Sequence, residues 1–219
     1  MTPRMTITIA RQMGCGGAYV AQLIAKRLQL RYVDREVLYL AAQSLGVEEA
    51  AVEASCERVT SFWEKLFGGL TLLPPESPYT PPPVRRFSDE DLFQRQVEAL
   101  KLIAPREDCV IVGYGAAFVL PHHSRMVNLY FHAPPKFRIR RVKEIYKLAN
   151  SHEARQMIQE SDEMRRKYFA QMTDKDWSCA DNYHLCMDTS IYPLDELAEK
   201  LVLFIERKLR LNEQTSGDA

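Results

Sequence analysis

Residues Ile7–Leu28 read "ITIARQMGCGGAYVAQLIAKRL". A β-rich run, a cluster of three glycines and an amphipathic segment follow one another without a break. Met5 to Ala10 is short and rich in Ile and Thr, which suits a buried strand. Val20, Leu23, Ile24 and Leu28 keep the spacing of one helix face. A strand, a glycine turn and a helix in this order form a nest for anions, because the helix start offers free N–H groups and a positive dipole end. The spacing G-x-x-x-x-G-K-[ST] adds a lysine for terminal phosphates and a hydroxyl for Mg²⁺. Here those last three positions are Gly16, Gly17 and Ala18, so the lysine is missing. Glycines at such a turn also serve close packing alone, and both readings stay open at this point.

Working outward, four more β-like runs appear: "RYVD" (31–34), "CVIVG" (109–113), "MVNLYFHA" (126–133) and "YHLCMDT" (183–189). Helical patterns lie at 35–44, 88–104, 135–149, 152–171 and 193–210. Short apolar strands alternating with helices predict a parallel sheet with helices on both faces, since parallel strands need crossover connections. Ligands of such sheets sit at the carboxyl ends of the strands. "PPESPYTPPP" (74–83) excludes a helix interior or a central strand, and is read as an exposed loop in an insertion spanning 46–90. The polar residues from Asn212 are read as a frayed tail.

The chain has 219 residues, with 29 Lys+Arg balanced by 29 Asp+Glu, so no global field draws nucleic acid or an anionic membrane. Any anion site must be built locally. The five cysteines form no C-x-x-C pair, which fits reduced thiols in a cytoplasmic protein, and no run approaches the roughly 20 apolar residues a bilayer requires.

Several stretches carry a resemblance. The loop aligns without a gap with "ITID-GPSGAGKGT" of bacterial cytidylate kinases, and more closely with the lysine-lacking "R-x-x-G-x-G-G" loop of the cytidylate kinase-like family. "YVDRE" (32–36), "DCVIVGYGAAFVL" (108–120) and "SDEMRRKYFAQMTDKDWSCADNYHLCMDTS" (161–190) resemble that family's D-R-E segment, its "CVIVGR-x-A" strand and turn, and its lid helix followed by D-W…N-Y-x-L…T-S. The matches run in order from 5 to 205, with 50–85 unanchored. The resemblance implies a P-loop NTPase-type three-layer α/β/α domain over 1–211 with a five-stranded parallel sheet. It also implies a helical insertion, a lid at 150–175, ATP and Mg²⁺ as cofactors, and a nucleoside monophosphate, CMP or dCMP, as acceptor. No nucleic acid or membrane partner follows from it, and a homodimer stays open.

Carried onto this chain, the resemblance lines the ATP phosphates with Met13, Gly14, Cys15, Gly16, Gly17, Ala18 and Tyr19. It assigns Arg11, Asp162, Arg165 and Arg166 to catalysis, and Asp34, Arg35, Tyr114, Arg138 and Arg141 to the acceptor. Relatives often carry Arg where this chain has Ala18 and Tyr114, and cytidylate kinases have Thr where it has Tyr19. Arg11 and the lid arginines would then have to neutralise the phosphates, which a guanidinium can do bidentately. Each residue also has a plainer use. Arg11 could be a surface ion-pair partner, Asp34 a helix cap, Arg138 and Arg141 a solvated basic face, and Asp162 and Arg165, three apart, a surface pair. Two rival functions stand beside the kinase: a nucleotide-responsive regulator without turnover, and a scaffold that uses the proline-rich insertion.

Overall fold

The computed structural model describes residues 3–34 and 89–217. The expected helix 35–44, Arg35 and nearly all of the 46–90 insertion lie outside the described residues. Five strands form one parallel sheet: β1 (Thr6–Arg11), β2 (Arg31–Val33), β3 (Cys109–Val112), β4 (Met126–His132) and β5 (Leu185–Asp188). Their order is β2-β3-β1-β4-β5, with every neighbouring pair parallel. The sheet is parallel, as the alternation of strands and helices predicts, and the strand that feeds the glycine turn is its central one.

Side-chain alternation decides the layers. Ile7 and Ile9 of β1 stand level with Val110 and Val112 of β3 and with Val127 and Leu129 of β4. This face is covered by α1 (Gly17–Leu28), through Val20, Ala21 and Ile24, and by the last helix, through Leu197, Leu201 and Ile205. The intervening residues face the other way. Cys109 and Ile111 pack with Leu100 and Ile103 of α2 (Asp89–Ile103), and Tyr130 packs with Phe93, Tyr168, Phe169 and Trp177. Thr8 and Asn128, polar and buried in the middle of this face, are joined by a 2.7 Å bond from Thr8 Oγ1 to Asn128 Oδ1.

After β3 comes a single turn, α3 (Ala116–Val119), which the sequence pattern does not announce. After β4, α4 (Pro135–Tyr146) starts with proline at its first position, where the missing N–H costs nothing. α5 (Ser151–Thr173) is capped by Asn150, whose Oδ1 accepts the Glu153 N–H at 2.8 Å. α4 and α5 pack through Val142, Ala154 and Ile158, with Met13 of the glycine turn between them. The last helix, α6, spans Leu194–Gly217, so its backbone continues through the residues expected as a frayed tail from Asn212. Leu209 still packs on the core one turn earlier, and Asn212 to Gln214 contain nothing that breaks a helix.

Candidate functional site

The turn from β1 to α1 is held on three sides. Gly14 and Gly16 adopt positive φ, 79° and 86°. A Cβ on Gly14 would stand 2.8 Å from Val142 Cγ2, one on Gly16 2.7 Å from Leu194 Cδ1, and one on Gly17 2.9 Å from Arg11 Cβ. The glycines thus do serve close packing, against α4, the start of α6 and β1. Buried Thr189, just past β5, donates its hydroxyl to Cys15 O at 2.6 Å and fixes the far side of the loop. α1 begins at Gly17, and its N-cap, Gly16, offers no side-chain cap to the first N–H groups.

Three arginines converge here. Arg11 ends β1 and is 8% exposed; Arg138 of α4 and Arg165 of α5 are 6% and 5% exposed. All three lie within electrostatic reach of the buried Cys15 thiol. Burial dominates there and raises the thiol's pKa, although the Gly17 N–H and the three arginines work in the opposite direction. Arg138 Nε donates to Met13 O at 2.8 Å, and its Nη2 pairs with Asp162 Oδ2. Asp162 Oδ1 accepts the Met13 N–H at 3.0 Å and lies 3.3 Å from Arg165 Nη1. Burial first, and the charge of Arg11 next, lower the Arg165 pKa to about 10 despite Asp162. Two like charges forced together out of water place a field in this corner that favours an added anion.

Beside the arginines a narrow cleft, partly open to solvent, runs over the carboxyl ends of β1 and β3. Arg11, Arg165 and Tyr114 line it together with Phe118, Phe169, Trp177 and Tyr183. Tyr114 is buried and held at φ 53° between Gly113 and Gly115, which also have positive φ. That conformation is costly for a bulky residue and persists only where its surroundings impose it. The D-W…N-Y signature builds one wall. Asp176 Oδ1 accepts from the N–H and hydroxyl of Ser178, which lowers its pKa; Tyr183 donates to Trp177 O at 2.5 Å; Trp177 lies 6.0 Å from the Arg165 guanidinium. The motif therefore works largely through the backbone, by seating an indole against an arginine.

The structure brings together Arg11, Met13, Gly14, Cys15, Gly16, Gly17, Arg138, Asp162 and Arg165, and places Tyr114 in the adjoining cleft. Arg11 is no surface arginine. Arg141 reaches the same loop from the same face of α4 as Arg138, with Cζ 3.4 Å from where a Gly16 Cβ would lie and 5.9 Å from the Phe137 ring. Its Nε is buried with no hydrogen-bond partner among the described residues. Asp34 follows β2 directly and accepts the Tyr32 hydroxyl at 3.1 Å; Arg35 lies outside the described residues.

Two expected residues, Arg166 and Tyr19, stand elsewhere. Arg166 forms a forked pair with Glu163 on the solvent side of α5, because one step along a helix turns a side chain about 100° from its neighbour. Tyr19 turns to α6 and donates to Asp195 Oδ1 at 3.0 Å, since that helix start supplies the nearest acceptor for its long phenol. Ala18 sits in the first turn of α1 and offers only its backbone. The aromatic wall of Phe118, Phe169, Trp177 and Tyr183 is not read from the sequence as a site. The available signal was the density of rings around an arginine in "RRKYF…DW…NY".

A profile of the cytidylate kinase-like family matches residues 6–191, and the chain belongs to that family. No curated protein matches it. Among solved structures, an uncharacterized protein from Eubacterium ventriosum is similar with a TM-score of 0.64 at 19% identity, over 93% of this chain and 99% of its own. A gluconokinase from Sinorhizobium meliloti follows at 0.55 and 11% identity, over 100% and 99%. A shikimate kinase from Bacteroides thetaiotaomicron stands at 0.50 and 13%, over 92% and 98%. At these identities the likeness speaks to the fold, which is that of the P-loop kinases.

Proposed function

We propose that this member of the cytidylate kinase-like family moves the γ-phosphoryl group of ATP to a nucleoside monophosphate, with CMP or dCMP as the first candidates. The carrying observation is the convergence of buried Arg11, Arg138 and Arg165 on the glycine turn at the centre of the sheet. Phosphoryl transfer needs little covalent work from a protein and much neutralisation of oxygens in a fixed geometry. Buried guanidiniums held by Met13 O and Asp162 supply that charge at a fixed place beside the loop. In this reading Arg138 and Arg141, expected from the sequence on the acceptor, join the loop N–H groups in holding the phosphates of ATP, while Arg11 and Arg165 face the acceptor cleft.

The site fits phosphates better than it fits a metal. The loop hydroxyl of the lysine-bearing relatives is replaced by Tyr19, whose phenol is bonded to Asp195. Mg²⁺, which offsets phosphate charge when bound, would therefore be held through the phosphate oxygens that this chain grips. No helix among the described residues is long and apolar enough to cross a membrane.

One observation favours the second reading, a nucleotide-binding regulator without turnover: the Asp162 carboxylate takes up the Met13 N–H of the loop. An assay of the wild type at high concentration with ATP, Mg²⁺ and CMP, dCMP, UMP or AMP separates the two. Diphosphate from CMP or dCMP supports the kinase. No diphosphate from any acceptor sinks it and leaves the regulator.

A further inference from the structure

Asp162 reaches the glycine turn from the middle of α5. Its two oxygens collect the Met13 N–H, Arg165 Nη1 and Arg138 Nη2. A backbone N–H of a glycine turn together with two guanidiniums is a donor set suited to a phosphate oxygen. We infer that Asp162 is an internal counter-anion seated in a phosphoryl-binding site, and that an external phosphate group enters by displacing its carboxylate from Met13 and Arg165. The inference rests on the reading of this turn as a phosphate loop, and deepens it by naming what the phosphate must compete with.

Two features separate this from an ordinary ion pair within a helix. The Met13 N–H belongs to a segment 149 residues away in sequence, so the carboxylate ties α5 to the loop rather than stabilising its own helix. The two helices are also held by other means: Ala154 and Ile158 of α5 pack with Val142 of α4 and with Met13. The carboxylate can therefore leave its seat while the helix pair stays docked. Its side chain is 20% exposed, against 7% and 5% for the side chains of Arg138 and Arg165, so it is the most accessible member of the cluster and the one with an outward path. Arg11 lies close enough to Arg165 to oppose its charge, so three buried arginines stand around the seat that this carboxylate occupies. A phosphate brings more negative charge than the group it replaces.

The test is calorimetric titration of the full chain with inorganic pyrophosphate, without nucleotide or Mg²⁺, comparing wild type with Asp162→Asn. Asparagine keeps the size of the residue and removes the competing charge. The variant should bind pyrophosphate at least 10-fold more tightly. Equal or weaker binding by a folded variant overturns the inference, because the carboxylate then organises the arginines rather than competing for them; so does the absence of binding by both proteins. Should the variant fail to fold, the wild type carries the test. On NMR titration the Met13 amide and the Arg138 Nε–H should shift saturably, with Arg27 on the outer side of α1 as the unmoved control. No shift at Met13 at saturation overturns the inference. Neither readout is turnover. A protein that makes no diphosphate yet shows the gain loses the kinase reading and keeps the seat, and one that turns over without the gain does the reverse.

Discussion

Asp162 with Arg165 and Glu163 with Arg166 are the same motif written twice on one helix, an acid three residues before an arginine and one step apart. Their fates differ completely. The first pair is drawn under the glycine turn, where Arg165 is 5% exposed and its pKa is pushed down to about 10. The second lies in solvent, where a forked contact raises the Arg166 pKa and lowers that of Glu163. Spacing allows a pair to form. What surrounds the pair decides whether it is a site.

The largest effect should come from removing the buried arginine. Arg165→Ala should lower phosphoryl transfer at least ~100-fold, the scale of one lost transition-state donor. It should also destabilise the fold by about 3 kcal/mol, the scale for emptying a buried site of its large side chain, so that the Tm of a chain this size falls by roughly 6–12 °C. Steady-state kinetics and a thermal scan check both. An unchanged Tm would make Arg165 as dispensable to the fold as its exposed neighbour and erase the contrast.

A smaller loss is expected from the neutral anchor on the opposite side of the loop. Thr189→Ala removes the bond to Cys15 O and should cost about 1–2 kcal/mol, the value of a buried acceptor left unsatisfied. Denaturant unfolding checks it, and a loss as large as that of Arg165→Ala would mean that charge adds nothing to how the loop is held.

A pH scan reaches a third region, the edge of the sheet away from both pairs. His184 Nδ1 accepts the Asn128 N–H at 2.8 Å, and burial first, then Lys208 and His122, lower its pKa below 6.5. The unfolded chain then takes up the proton first as pH falls. Stability should decline from about pH 6.5 downward and level off once the folded protein is protonated as well. His184→Gln should flatten most of that slope, leaving the share of His123, whose pKa is lowered mainly by burial. A slope unchanged by the substitution would remove His184 from this role.

The smallest effect belongs to the exposed pair. Arg166→Ala and Glu163→Gln should leave the Tm within experimental error and turnover within about twofold, since screened surface pairs contribute little. A drop in turnover approaching that of Arg165→Ala would restore Arg166 to the catalytic set and break the comparison.

Much of the site was legible. Arg11, Arg138, Asp162 and Arg165 stand out beside a glycine turn, and the structure gathers all four. The division between Arg165 and Arg166 was less visible, although α5 carries a faint signal. Ala154, Ile158, Ser161, Arg165 and Tyr168 recur at helical spacing and form its buried stripe, with an arginine in a core position. Tyr19 was misplaced because its partner, Asp195, lies 176 residues on and no local pattern joins them. The aromatic wall escaped for the same reason: Phe118 and Tyr183 meet, with ring centroids 6.2 Å apart, only because β3 and β5 belong to one sheet.

By itself the sequence determined the strand, glycine turn and helix, the parallel alternation, and the positions of the arginines along the chain. These follow from forces that act over a few residues: side-chain period, the freedom of glycine, the demand for crossovers. Which charges lose their water was decided only in the tertiary structure. Desolvation depends on which remote segments close over a side chain, and Asp162 meets Met13 only because α4 and α5 pack beside the glycine turn.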